Sequence, residues 1–103
     1  MFQLLDPRAL WREISAQHYR AATVVESRVL SLILQGYRNE EIARLMQREQ
    51  STVRRHISDL YDRAFAGTDI PRDRDKLKLW GGAHQDCCLP LVKEMIENDR
   101  KIA

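Results

Sequence analysis

A chain of 103 residues, 44% hydrophobic and 31% charged, has the length of one compact domain and a composition that excludes a disordered polymer. Its apolar runs are only a few residues long, which excludes a spanning helix, and Asp6 interrupts the N-terminus where a signal peptide would stay apolar. The net charge of +2 alone argues weakly for a polyanionic partner, but every basic residue before Lys76 is arginine, and between Arg44 and Arg55 four arginines face one acid, Glu49.

Glycine and proline are scarce, no alternating run marks a strand, and apolar residues recur at helical spacing, so the fold class is all-α, a bundle of five to six helices. Asp6 and Pro7 read as the cap and first residue of a helix reaching about Arg20, with Leu10, Trp11 and Ile14 inward. Thr23-Val24-Val25-Glu26 has the spacing of a capping box, in which hydroxyl and carboxylate each satisfy an orphaned N–H. Val29, Leu30, Ile33 and Leu34 then share one face, and Gly36 ends the helix. Asn39 is the expected cap of a short helix carrying Ile42, Ala43 and Met46. Gln47-Arg48-Glu49-Gln50 make a polar turn, and a further helix opens near Ser51.

That helix presents Val53, Ile57, Leu60, Tyr61 and Ala64 along one side and ends at Ala66-Gly67. Asp69-Ile70-Pro71 then opens a charged helix through Trp80, which Gly81-Gly82 breaks. Pro90 starts a last helix with Leu91, Val92, Met95 and Ile96 on one side, a stripe that serves either core packing or a dimer seam. Leu77 and Trp80 are further seam candidates.

Two short helices joined by a tight polar turn, the second apolar on one side and arginine-bearing on the other, form the helix-turn-helix pattern. At about 100° per residue, Ser51, Arg55, Ser58 and Asp62 lie opposite Val53, with Arg54 on the flank. A helix anchored in this way can enter a major groove and offer donors to base edges.

The stretch Thr23-Val24-Val25-Glu26-Ser27-Arg28-Val29-Leu30 resembles the LTxRExEVL opening of the LuxR/GerE-type DNA-binding domain. Gly36, Asn39, Glu41-Ile42-Ala43, Thr52-Val53-Arg54, His56 and Tyr61 follow at that family's spacing without a gap, over about residues 22 to 64. Sigma-factor region 4 shares part of the pattern, but His56 favours LuxR/GerE. The resemblance implies a sequence-specific regulator of transcription that binds double-stranded DNA in the major groove through the helix at about 51–63. Thr52 takes the place of a phosphate contact, Arg54 of a basic residue reaching phosphate or base, and Arg55 and Ser58 of the variable base readers. By rotation His56 lies beside the core and reads as structural, the alternative being a phosphate contact.

Some positions depart from the family. Arg48 and Glu49 stand where an aliphatic residue and a serine cap are usual, so a looser turn is expected, with the next helix starting later, at Ser51. Arg38 replaces a serine and adds a phosphate contact. The candidate DNA-binding set is therefore Arg38, Arg48, Ser51, Thr52, Arg54, Arg55 and Ser58. The chain divides into an N-terminal helix in 1–22, the helix-turn-helix core in 23–65 and a C-terminal extension in 66–103 that is a candidate dimerisation region.

Other chemistry is poorly supplied. His84, Asp86, Cys87 and Cys88 are potential metal ligands, but adjacent cysteines seldom serve one tetrahedral site, and a loop is the expected structure there. They also seldom bridge each other, so a reduced, cytoplasmic protein is expected. No nucleophile–base pairing or phosphate-binding glycine loop is visible, so neither an enzyme nor a cofactor is expected. The leading expectation is a homodimeric transcription regulator. The alternative is a protein-binding adaptor or antagonist that keeps the fold and addresses RNA polymerase or another regulator.

Overall fold

A computed structural model describes residues 23–86 and 89–102. These form five helices and, among the described residues, no strand: α1 (Val24–Leu34), α2 (Asn39–Met46), α3 (Gln50–Phe65), α4 (Arg74–His84) and α5 (Pro90–Ile102). The helix expected over residues 6–20 lies outside the described residues.

α1 is the hub and packs against all four other helices. Val29, Leu30, Leu32 and Ile33 are essentially inaccessible, and the polar Glu26, Ser27 and Ser31 are buried with them. Burial therefore extends well beyond the single face its spacing suggests, because α5 covers the side left over by α3 and α4. Thr23 caps α1 as expected, accepting the Glu26 amide at 3.0 Å. The Glu26 carboxylate, however, is turned to Arg63 of α3 rather than to the helix start. Gly36, with φ +94°, ends the helix: its amide and that of Tyr37 donate back to Ile33 O and Leu32 O at 3.0 and 3.1 Å.

Four boundaries differ from expectation. The cap of α2 is Arg38, whose amide donates to Glu41 Oε1 at 3.0 Å. Asn39 is already helical, and its side chain is engaged by Arg74, 35 positions away. The turn after α2 is tight, not loose. Gln47 adopts the left-handed conformation (φ 55°, ψ 47°), and Arg48 N donates to Ala43 O at 2.8 Å, so α3 begins at Gln50. The next helix opens at Asp73, which accepts the Asp75 amide at 3.0 Å, because Ile70 is drawn against the core.

Gly81-Gly82 do not break that helix, which continues to His84. Gly81 lies where α4 crosses α1: an added Cβ would stand 3.1 Å from Leu34 Cδ2 and 3.3 Å from Leu30 Cδ1. The missing side chain is a packing solution.

One core joins all five helices, with Trp80, Leu77, Leu89, Val92 and Ile96 on the same cluster as Leu30, Ile42 and Leu60. Leu77 and Trp80 are thus core residues, not a seam. Of the last stripe, Val92 and Ile96 are buried, while Leu91 and Met95 are half-buried. α5 is fastened to α1 by Asp99, which accepts Arg28 Nη1 at 2.7 Å and Gln35 Nε2 at 2.9 Å. These bonds hold the Asp99 carboxyl below its ordinary value. Among the described residues no helix is long and apolar enough to cross a membrane.

Candidate functional site

α3 is held by its apolar side. Val53, Ile57, Leu60, Ala64 and Phe65 are buried, and each of the three largest aliphatic anchors contributes roughly 1.5–3 kcal/mol. Its C-terminal half is fixed further by Arg63, which forks onto both oxygens of Glu26, with Nη2–Oε1 at 3.0 Å. The charge pair is desolvated: the side chain of Glu26 is 6% exposed and that of Arg63 27%.

The opposite side faces outward as the rotation requires. Ser51, Arg54, Arg55 and Ser58 are exposed, and Thr52 is half-exposed in the first turn of α3. Arg48 is exposed in the turn that precedes them. Arg48, Arg54 and Arg55 form no ion pair with any described residue, nor does Arg44 on α2, whereas Arg28, Arg63 and Arg72 each hold a carboxylate. Arg38 is set apart from this group: it is highly exposed, but Glu40 and Glu41 stand 3.9 and 3.5 Å from its guanidinium. Acids also belong to the face, with Asp62 exposed, Asp59 half-buried and Glu49 at the α3 cap. Ser51 donates to Glu49 at 3.5 Å.

His56 is half-buried beside the core, and its Nδ1 is enclosed without a hydrogen-bond partner among the described residues. His84 is not in a loop. It closes α4, 1% exposed, with its ring 5.0 Å from that of Trp80. Among the described residues no cluster of three metal-ligating side chains occurs; Cys87 and Cys88 lie outside them.

Two arginines without a motif of their own join the face. Arg74 lines a depression with Arg38, Asn39, Glu40 and Gln50 at the adjoining starts of α2 and α3. Arg72 lines another with Arg54 and Ser58. The N-terminal ends of α2 and α3 and the start of α4 therefore bring Arg38, Arg54, Arg72 and Arg74 onto neighbouring surface, which can offer guanidinium donors to an extended polyanion. The chain matches no protein-family model, no curated protein and no solved structure.

Proposed function

We propose that the chain binds duplex DNA, with α3 as the helix that reads the major groove, and regulates transcription in the cytoplasm as the LuxR/GerE resemblance implies. The observation that carries this reading is the set of exposed arginines without ion pairs among the described residues, Arg54 and Arg55 on a helix whose other side is locked into the core and Arg48 in the turn before it. Arginines left without acids remain available for bidentate contacts to phosphate or to guanine O6 and N7. Thr52 and Arg48 position the backbone, Arg54 reaches backbone or base, and Arg55 and Ser58 read bases, with Ser51 at the entry. Arg38 has the weakest support, because its acidic neighbours oppose phosphate.

The test is fluorescence anisotropy of the full chain on random and selected duplexes across salt concentrations. Binding that falls steeply with salt supports the proposal. Absence of binding at low salt refutes it.

A homodimer completes this reading, since one such module spans about half a turn and two match half-sites roughly 10 bp apart. With Leu77 and Trp80 in the core, the large apolar residues that α4 and α5 leave for a seam among the described residues are Leu79, 66% exposed, and the half-buried Leu91 and Met95. Sedimentation as a monomer, both free and on the preferred site, would remove the dimer. The adaptor reading is favoured by Leu45 and Leu79, each more than half exposed, and by the acids on the α3 face. It gains only if duplex binding is absent.

A further inference from the structure

The connection between α3 and α4 is anchored at both ends. Thr68 folds back on α3, donating its amide and hydroxyl to Phe65 O at 3.1 and 2.7 Å, and Ile70 packs against the core. At the far end Arg74 donates to Asn39 Oδ1 at 2.7 Å and to the Tyr37 carbonyl. Between these anchors Arg72 is exposed and turned back to α3, where it pairs with Asp62.

The anchored segment closes one side of a depression of about 330 Å³ lined by Asn39, Arg54, Ile57, Ser58, Tyr61 and Arg72. Among the described residues no carboxylate lines it. Its two guanidinium groups come from different elements, and Arg54 has no ion pair among the described residues. Burial pushes the Tyr61 phenol above its ordinary value, against a lowering influence from Arg74, so it remains a neutral hydroxyl at pH 7. Two cations with an amide and two hydroxyls match a phosphodiester, whose oxygens accept from all of them.

We infer that this depression seats one backbone phosphate of a bound duplex between Arg54 and Arg72. The inference rests on the proposal that α3 faces DNA and extends that contact to the α3–α4 connection. Asp62 is then a competitor. Its pair with Arg72 is more than half exposed at both partners and correspondingly weak, so Arg72 exchanges carboxylate for phosphate as DNA arrives. A phosphate contact positions the chain without reading sequence.

The experiment uses the full chain, anisotropy on random and selected duplexes, and Arg72→Ala, Arg72→Lys, Asp62→Asn and the Asp62→Asn/Arg72→Ala double variant, each with its helical melt checked. Arg72→Ala is expected to weaken all duplexes alike and to reduce the salt slope by about one. The ratio of wild-type to variant affinity then grows about fourfold as salt falls from ~200 to ~50 mM. Arg72→Lys keeps most of that slope. Asp62→Asn strengthens binding more when Arg72 is present than when it is alanine. Equal strengthening in both backgrounds is what simple removal of an acid would give, and overturns the exchange. Unchanged binding in Arg72→Ala overturns the phosphate seat and leaves the DNA reading intact. A wild type that binds no duplex overturns both, even if inorganic phosphate alone binds in an Arg72-dependent way.

Discussion

Replacing Arg63 by methionine removes the guanidinium that holds Glu26 while keeping an apolar stem of similar reach. At the 3.0 Å Nη2–Oε1 separation, with an effective dielectric of about 20, the lost attraction is roughly 5 kcal/mol. Glu26 is too enclosed for water to restore much of it, its side chain being 6% exposed. Its place in the first turn of α1 leaves it some support from the helix N-terminus. The expected net loss therefore lies at the lower end of the range for breaking a buried pair, about 3 kcal/mol. That is a large part of the roughly 5–15 kcal/mol that stabilises a domain. Urea unfolding followed by helical circular dichroism measures it. Glu26→Met should also destabilise alone, but the double variant should return to within about 1 kcal/mol of wild type, since two packed apolar chains carry no stranded charge. Losses that simply add, or an Arg63→Met loss below about 1 kcal/mol, would refute this coupling between α1 and α3.

Asp99 gives a pH prediction. Its folded carboxyl titrates below the ordinary value of about 3.9, so its stabilisation is complete above that pH and is lost as pH falls through the lower folded value. Asp99→Asn should flatten acid unfolding below about pH 4, and an unchanged acid limb of the stability profile would contradict this. Gln47→Gly should raise stability by about 0.5–1 kcal/mol in urea melts, because Gln47 holds a left-handed conformation that glycine adopts without strain. Gly82→Ala should add up to about 1 kcal/mol of helix propensity in open space, whereas Gly81→Ala, tight against Leu34 and Leu30, should be neutral or lose up to about 2 kcal/mol. Arg55→Ala should relax base preference at one position per half-site at a cost of about 1–3 kcal/mol, while Thr52→Ala weakens all duplexes alike. Competitive binding-site selection separates those two effects.

What was legible in the sequence is what local chemistry decides. The Thr23 cap, the Gly36 stop, the apolar side of α3 and the Pro90 start each depend on residues within one or two turns. What was not legible depends on partners far along the chain. Asn39 reads as a cap until Arg74 claims its side chain. Gly81 reads as a breaker until Leu30 and Leu34 of α1 arrive at its Cα. Leu77 and Trp80 read as seam candidates until α1 is seen to be enclosed on several sides. In the candidate site, the outward position of Ser51, Arg55 and Ser58 was legible from rotation, whereas Thr52 was named only through the family resemblance. Arg72 and Arg74 were not legible, because nothing in Pro71-Arg72-Asp73-Arg74 shows that the connection is pulled back onto α2 and α3.

That pull also bears on affinity. α3 is fixed along its length by Val53, Ile57, Leu60 and Ala64, near its C-terminal end by the Arg63 fork, and beside it by a connection that Arg74 ties to α2. A helix held in this way has little conformational freedom left to lose on binding, which favours association. The acids Glu49, Asp59 and Asp62 on or beside the same side act against it, repelling phosphate at every sequence alike. If α3 reads DNA as proposed, a rigid reader with a weakened general attraction should bind non-specific duplex poorly and depend more on base contacts. It would trade affinity for discrimination, because phosphate contacts are the same at every sequence, whereas bidentate arginine–guanine contacts depend on the base.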